Sequence, residues 1–190
     1  MTPLPKEQHY TFADLLAWDD DTRYELYDGQ PVALASPSNA HQLIGNELSR
    51  QLSNYLLGKR CKVYPAPFDV QLFAGKDDPP ANISTVVQPD LSIICDPEKT
   101  SGHGCKGAPD MVIEVISPST GRYDKLLKFN LYWQAGVREY WIVDPIDRMV
   151  TVHTLKDGVY QTTVYDEKAS VRVGILDDCV IDLSMAFSEI

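Results

Sequence analysis

A nearly continuous apolar run with one acidic residue inside it is the strongest feature of the hydrophobic pattern. The segment PDMVIEVIS places Glu114 in the middle of five apolar side chains, namely Met111, Val112, Ile113, Val115 and Ile116. Such a run predicts a strand that is covered on both faces, as in parallel or mixed sheets between helices. An isolated carboxylate in that strand costs several kcal/mol to bury, or it takes up a proton. Glu114 is therefore expected to have a cation, a set of hydrogen bonds or a pocket beside it.

The next segment has the spacing and the end signals of a helix. Ser119 or Thr120 can cap its start, and Gly136 can end it. Its large apolar residues spread around most of the helix circumference, so we expect this helix to be largely buried. These residues are Leu126, Leu127, Phe129, Leu131, Tyr132 and Trp133.

One polar line on this helix offers a partner for the buried carboxylate. Asp124 and Lys128 lie one turn apart, and Lys125 and Tyr132 lie beside them. Asp124 and Lys128 can form a surface ion pair worth about 0.3–0.5 kcal/mol. Alternatively, Lys128 points from a packed helix toward Glu114. The residues alone leave both interpretations open.

Hairpins are predicted near both ends of the chain. Two strand-like runs flank the turn dipeptide at residues 28–29, and two more flank residues 156–158. Between them, Ser38 or Asn39 can cap a helix whose apolar residues keep helical spacing up to residue 58. Further strands are predicted within residues 61–73, 91–95 and 138–144, and the segments 74–87 and 96–108 have the composition of loops.

Three polar residues in these elements are further candidates for a site. Glu25 can point into a site from the first hairpin, but a solvated strand glutamate is the favoured interpretation. His41, in a first helical turn, is favoured as a surface or capping residue rather than a ligand. Glu47 on the same helix is kept as a supporting candidate.

Length and segment composition predict one domain over residues 1–190 and no membrane partner. No stretch approaches the ~18 apolar residues of a membrane span. The N-terminus has no apolar signal core, so a cytoplasmic protein is expected.

The cysteines predict reduced thiols rather than a disulfide framework or a metal site. Cys61, Cys95, Cys105 and Cys179 have no framework spacing. A zinc site made by Cys95, His103 and Cys105 is disfavoured, because these residues lack paired-ligand spacing and a fourth ligand.

The formal net charge of −10 argues against a broad nucleic-acid-binding surface, which needs a basic face. Small basic clusters beside an acidic metal site remain compatible with it. The two candidate clusters are Lys59, Arg60 and Lys62, and the trio Arg122, Lys125 and Lys128.

Three residues on neighbouring predicted elements suggest hydrolytic chemistry. Asp90 enters one apolar strand, Glu114 lies within the next, and Lys128 follows on the adjoining helix. Two carboxylates on neighbouring strands suit a hard divalent cation such as Mg2+ or Mn2+. An ammonium beside them suits phosphodiester hydrolysis, in which it orients the nucleophile and offsets charge on the phosphate.

The chain resembles the Uma-type restriction endonuclease family of the PD-(D/E)XK nuclease superfamily over nearly its whole length. The segments that carry the resemblance are YTFADLLAWDDDTRYELYDGQPV, SPSNAHQLI, QPDLSII, PDMVIEVISPST, YDKLLKFNLYWQAGVREYWIVDP and VGILDDCVIDL. The resemblance implies an α/β fold, with a central mixed β-sheet flanked by helices as in restriction endonucleases. The N- and C-terminal β-hairpins are additions to that core.

The resemblance also implies a metal bound by Asp90, by Glu114 and by the main-chain carbonyl of Val115. A second Pro-Asp dipeptide contains Asp110, but Asp110 is four residues before Glu114 on the same strand. That spacing is ~13 Å at strand rise, too far to share one ion, so Asp90 is preferred.

One position departs from the superfamily pattern. Two residues after Glu114, where the superfamily has a lysine, this chain has Ile116. The Uma-type pattern implies a replacement by a helix lysine in D-x3-K, here Asp124 and Lys128, with Lys125 as a second candidate.

The leading functional hypothesis is a Mg2+- or Mn2+-dependent endodeoxyribonuclease. DNA is its expected substrate, and a homodimer would suit two cuts in a duplex. The alternative is a non-catalytic binding or assembly module with a nuclease fold, which Ile116 and the acidic net charge favour.

Overall fold

The computed structural model describes residues 8–19, 21–116 and 122–190, and the side chains of residues 122–125 lie outside it. The helices are α1 (Phe12–Ala17), α2 (Asn39–Leu56), α3 (Arg122–Ala135) and α4 (Leu183–Ala186). The strands are β1 (Tyr24–Tyr27), β2 (Gln30–Ala33), β3 (Lys62–Pro65), β4 (Val70–Gln71), β5 (Val86–Val87), β6 (Leu91–Ile94), β7 (Thr100–Ser101), β8 (Gly104–Lys106), β9 (Met111–Val115), β10 (Glu139–Asp144), β11 (Met149–Lys156), β12 (Val159–Asp166), β13 (Ser170–Arg172) and β14 (Val180–Asp182).

The central sheet is mixed, as expected. Its strand order is β12-β11-β10-β9-β6-β3. Strands β9 and β10 run parallel, and the other neighbours run antiparallel. A parallel pair needs a crossover connection, and here α3 connects β9 to β10.

Apolar side chains cover both faces of the central sheet. On one face, Ile113 and Val115 of β9 join a cluster with α2 and with β13, β14 and α4. On the other face, Val112 joins a cluster that includes Tyr132 of α3 and residues of a second sheet. Burial on both faces explains why β9 is an almost continuous apolar run.

A second sheet has the strand order β2-β1-β5-β4-β8-β7, and β13 pairs with β14 in a small third sheet. The predicted hairpins are confirmed as β1–β2 and β11–β12. Asp28 and Gly29 form the first turn with φ of 48° and 76°, the left-handed region that a two-residue hairpin turn requires.

Helix α1 begins with a capping box between Thr11 and Asp14. Ser38 caps α2, and its Oγ accepts a hydrogen bond from the His41 amide at 3.2 Å. The apolar stripe Ile44, Leu48 and Leu52 of α2 is fully buried against the central sheet.

Two expectations about secondary elements are wrong. Helix α3 is not largely buried, because Leu126 is 64% exposed and Trp133 is 43% exposed. The sheet covers only one side of α3, so apolar residues on its other side face solvent. The two segments predicted as loops are not plain loops either, since β5 lies within residues 74–87, and β7 and β8 pair within residues 96–108.

The expectation of four reduced thiols is also wrong. Cys61 and Cys95 form a disulfide, whereas Cys105 and Cys179 are unpaired and buried. The register of β3 and β6 pairs Lys62 with Ile94, so the next residues out, Cys61 and Cys95, face each other. The disfavoured zinc site loses one of its ligands, because the Cys95 sulfur is in this bond.

In the part of the chain that the structure describes, no helix combines the length and the apolar character needed to cross a membrane.

Candidate active site

The pairing of β6 with β9 brings two carboxylates side by side. Leu91 pairs with Ile113 in this antiparallel ladder, so Asp90, the next residue, stands opposite Glu114. Directly opposite residues have Cβ atoms about 4.5–5.5 Å apart and project from the same face. The predicted proximity of Asp90 and Glu114 is thus a consequence of strand register.

Asp90 is held in place by main chain and by an imidazole. Its Oδ2 accepts a hydrogen bond from the amide of Val115 at 2.7 Å. The same oxygen lies 3.0 Å from Nε2 of His41, and both side chains are mostly buried. The favoured interpretation of His41 as a surface residue is therefore wrong, because its side chain is mostly buried beside Asp90.

Glu114 has the two partners that a buried carboxylate needs, and both come from α3. Lys128 Nζ lies 3.0 Å from its Oε1, and the Tyr132 hydroxyl donates to the same oxygen at 2.6 Å. Lys128 and Tyr132 are four residues apart and project from one line of the helix. The interpretation in which Lys128 points toward Glu114 is confirmed.

A third carboxylate enters the site from the other sheet. Glu25 of β1 is 1% exposed, and its Oε1 lies 3.1 Å from Lys128 Nζ. That oxygen also accepts from the Gln88 amide at 2.8 Å, and the Tyr27 hydroxyl donates to the second oxygen. The favoured interpretation of Glu25 as a solvated strand glutamate is wrong, because the two sheets pack at this position.

The site contains more carboxyl groups than cations, and the pKa of Glu114 is raised. Burial, together with the negative charges of Asp90 and Glu25, raises this pKa to about 7, although the Lys128 ammonium acts in the opposite direction. Burial alone would lower the pKa of Lys128, but Glu114 and Glu25 raise it well above its ordinary value. Lys128 therefore stays protonated beside these two carboxyl groups.

Negative charge also acts on the imidazole. Burial lowers the pKa of His41, but the hydrogen bond to Asp90, the charge of Glu114 and a main-chain hydrogen bond with Val115 outweigh it. The net result is a raised pKa.

Two other candidate residues, Asp110 and Glu47, have their partners elsewhere in the fold. Asp110 accepts from the Cys95 amide at 2.6 Å and pairs with Arg138, so it braces the far end of β9. Glu47 pairs with Arg50 on the same helix and accepts from Gln51 at 3.0 Å. Neither has a contact with Asp90 or Glu114 among the described residues.

The basic clusters have different positions. Residues 59–62 follow the C-terminal end of α2, and its last residue, Leu56, is ~22 Å from His41 at helix rise, so these residues do not surround the site. In the other cluster, Lys128 is in the site. The side chains of Asp124 and Lys125, two further candidates, lie outside the described residues.

Sequence reasoning missed the site roles of Tyr132 and Gln88. Tyr132 was counted as an apolar helix residue, although its position one turn after Lys128 could have indicated the same partner. Gln88 uses its main-chain amide on Glu25, and the sequence has no signal for such a contact.

The residue types at this edge of the sheet are ones that bind divalent cations in proteins. Two carboxylates and a main-chain carbonyl are hard oxygen ligands, and the local excess of negative charge would be offset by an added cation. Among residues 8–19, 21–116 and 122–190, no three Asp, Glu, His or Cys side chains form a group that could hold a metal ion.

Comparisons with known proteins place the fold and the family. A crystal structure described as a putative nuclease belonging to DUF820, from Anabaena variabilis, has a TM-score of 0.73 with 18% identity and covers 94% of this chain and 97% of that chain. At that identity, the likeness shows the fold alone.

The sequence comparisons go further. An uncharacterised protein of Synechocystis sp., slr1290, is 32% identical over 121 residues, which are 63% of this chain. The chain spans about 60% of the length of this curated relative. The family model Uma2, described as "Putative restriction endonuclease", matches residues 12–184. Because that match covers most of the chain, the protein belongs to the Uma2 family.

Proposed function

We propose that this protein is a metal-dependent endodeoxyribonuclease that hydrolyses phosphodiester bonds with Mg2+ or Mn2+. The observation that carries the proposal is the 3.0 Å contact between Lys128 Nζ and Glu114 Oε1. Ile116 stands where the superfamily has a lysine. In this chain the ammonium next to Glu114 comes from Lys128 of α3 instead.

Asp90, Glu114 and the Val115 carbonyl are the groups that would hold the cation. A bound Mg2+ or Mn2+ lowers the pKa of a coordinated water and offsets negative charge on the phosphate. Asp90 lies directly before β6 and opposite Glu114 by strand register, and the Val115 amide orients Asp90. Glu114 and Val115 lie on β9, so their positions are well defined before any ion binds.

Lys128 is the proposed electrostatic catalyst. It is protonated throughout the working pH range, because two carboxylates raise its pKa. Glu25 and Glu114 both contact the ammonium, which restricts it to one position. The ammonium stays protonated there. From there it can orient a nucleophilic water and stabilise charge that develops on the phosphate.

DNA is the proposed substrate, and a homodimer is the proposed form for cleavage of both strands. The net charge of −10 means that contacts to phosphate come from local groups and the bound cation rather than from a broad basic face.

The two Pro-Asp dipeptides allow a matched test of the metal ligands. Asp90→Asn and Glu114→Ala are expected to abolish nicking of supercoiled plasmid in Mn2+, whereas Asp110→Asn keeps it. Asp110 makes only structural contacts in the described chain, so its variant should show a lower melting temperature with normal activity. Gel analysis of nicked product and a thermal melt of each variant check this. Parental nicking by Asp90→Asn would refute the assignment.

Glu25→Gln is expected to reduce cleavage about tenfold by loosening Lys128. The amide is nearly isosteric but removes one of the two anions that hold the ammonium. The effect should fall on kcat rather than on KM for DNA, because Glu25 positions a catalytic group. Glu98→Gln is the control, since Glu98 forms an exposed pair with Lys76. An unchanged kcat in Glu25→Gln would show that Lys128 needs no second anion.

A non-catalytic binding module remains the second candidate, favoured by Ile116 and the acidic net charge. It predicts DNA or protein binding without cleavage in any divalent cation. Incubation of purified protein with plasmid and Mn2+, beside the Glu114→Ala variant, separates the two functions.

A further inference from the structure

We propose that strand β12 is the surface through which two copies of this chain associate, by antiparallel pairing of β12 with β12 of the second copy. The two central sheets then join into one continuous sheet. This inference rests on the proposed function only for the use of the dimer, since the contact itself follows from the fold.

The first observation is that β12 is an unprotected edge. Of the four edges of the two large sheets in the described chain, β2 contains Pro31, β3 contains Lys62 and Pro65, and β7 has only two residues. Proline, lysine and very short length stop an exposed edge from pairing with another chain. Strand β12 is the fourth edge. It is eight residues long, has no proline, lysine or arginine, and pairs with β11 without a bulge.

The second observation concerns the main chain of β12. The two-residue turn at Asp157 and Gly158 makes Lys156 and Val159 a hydrogen-bonded pair, and such pairs alternate along an antiparallel ladder. The N–H and C=O groups of every second residue therefore point away from β11. In the part of the chain that the structure describes, β11 is the one strand that pairs with β12, so these outward groups have no partner strand. They belong to Tyr160, Thr162 and Val164.

The third observation is that the sequence of β12 complements itself when the strand is reversed. With Thr162 opposite Thr162 of the partner subunit, Tyr160 faces Val164 of the partner subunit, and Val159 faces the partner subunit's Tyr165. Aromatic and β-branched residues form favourable cross-strand pairs. Val159 is 63% exposed and Val164 is 52% exposed, so this pairing covers apolar surface that a single chain leaves in solvent. The same register places the outward main-chain groups opposite one another.

Symmetry limits this association to two copies. Pairing of β12 with itself is two-fold, and the outer edge of the joined sheet is β3 in both copies, which Lys62 and Pro65 protect. Glu114 lies on β9, ~14 Å from β12 at the spacing of neighbouring strands, so the contact leaves the candidate active site unchanged. One pair of strands is a small interface, and we expect micromolar rather than nanomolar affinity.

Sedimentation equilibrium over a range of micromolar concentrations measures the association. The parent should dimerise in a concentration-dependent way. Val164→Lys should weaken dimerisation at least about tenfold, because it places a charge in the middle of the contact. Val180→Lys is the matched control, since Val180 is 55% exposed on β14 and its variant should associate like the parent. Thermal melts of both variants check that they are folded.

Cysteine crosslinking tests the register. Residues opposite each other in a hydrogen-bonded pair have Cα atoms about 5.5 Å apart, which is within the range of a disulfide. Oxidised glutathione should therefore crosslink two copies of Thr162→Cys. It should not crosslink Thr163→Cys, because Thr163 faces Gln161 of the partner subunit. A parent that stays monomeric, a Val164→Lys variant that associates like the parent, or a crosslink in Thr163→Cys alone would overturn this inference.

Plasmid nicking separates this inference from the proposed function. Val164→Lys should nick supercoiled plasmid like the parent, because one site is sufficient for one cut, and it should produce less linear product. A parent that dimerises through β12 but cleaves no DNA in any divalent cation would refute the proposed function and leave the interface standing. Nicking by a parent that stays monomeric would overturn the interface alone.

Discussion

Lys128→Met is expected to lower Mn2+-dependent cleavage by a hundredfold or more. Methionine keeps most of the apolar stem but removes the ammonium, and loss of one preorganised electrostatic stabiliser costs roughly 10²–10³ in rate. The same change leaves Glu25 and Glu114 facing each other without their shared cation. Removal of one partner from a buried ion pair destabilises a protein by about 3–5 kcal/mol. Single-turnover cleavage and thermal melts measure the two effects.

A second variant separates catalysis from stability. In Glu25→Gln/Lys128→Met, one of the repelling charges is also gone, so much of the lost stability should return. Cleavage should stay at the level of Lys128→Met, because the ammonium is still missing. Lys125→Met is the control for the helix position and should remain active. An inactive Lys125→Met beside an active Lys128→Met would transfer the catalytic role to Lys125.

Glu114→Gln is expected to raise the melting temperature of the metal-free protein, and the gain should grow with pH. The pKa of Glu114 is about 7 in the folded protein, compared with 4.5 for an ordinary glutamate. Between those values the folded state holds more protons than the unfolded state, so stability falls as the pH rises through this window. The variant lacks this loss. Its advantage should be small below pH 4.5 and reach on the order of 2–3 kcal/mol above pH 7, which is several degrees for a domain of this size.

Melts in EDTA and in Mn2+ across pH 4.5–8 test this profile. Mn2+ should stabilise the parent but hardly the Glu114→Gln variant, because only the parent keeps both carboxylate ligands. Glu139→Gln is the control for a buried strand carboxylate. Glu139 is bound by Trp141 Nε1 and the Ile175 amide, so Mn2+ should stabilise that variant as it does the parent. If Glu114→Gln melts below the parent in EDTA at pH 8, Glu114 is a structural residue.

Much of the site could be predicted because its signals are local. A carboxylate inside an apolar strand is unfavourable unless it has a partner, and the next helix offered Lys128 only 14 residues later. Asp90 could be preferred over Asp110 because strand rise alone separates Asp110 from Glu114. The register that pairs β6 with β9 then brought Asp90 opposite Glu114.

Contacts between distant parts of the chain could not be predicted in this way. Glu25 is 103 residues from Lys128 and reaches it only because the two sheets pack together. From its own strand, Glu25 looks like an ordinary polar residue of a hairpin. The Cys61–Cys95 disulfide had no signal in its spacing for the same reason, since the pairing of β3 with β6 brings these residues together.

The sequence by itself determined several elements and the buried faces of β9 and α2. Apolar periodicity specified β9 and the buried stripe of α2, and turn and cap residues specified the first hairpin and the starts of α1 and α2. These features depend on backbone preferences and on contacts within a few residues, so the local sequence encodes them. Only the tertiary structure decided which polar side chains share one space. Glu25, His41 and Tyr132 became neighbours of Asp90, Glu114 and Lys128 because packing and strand order, which depend on the whole chain, brought their elements to one edge of the sheet.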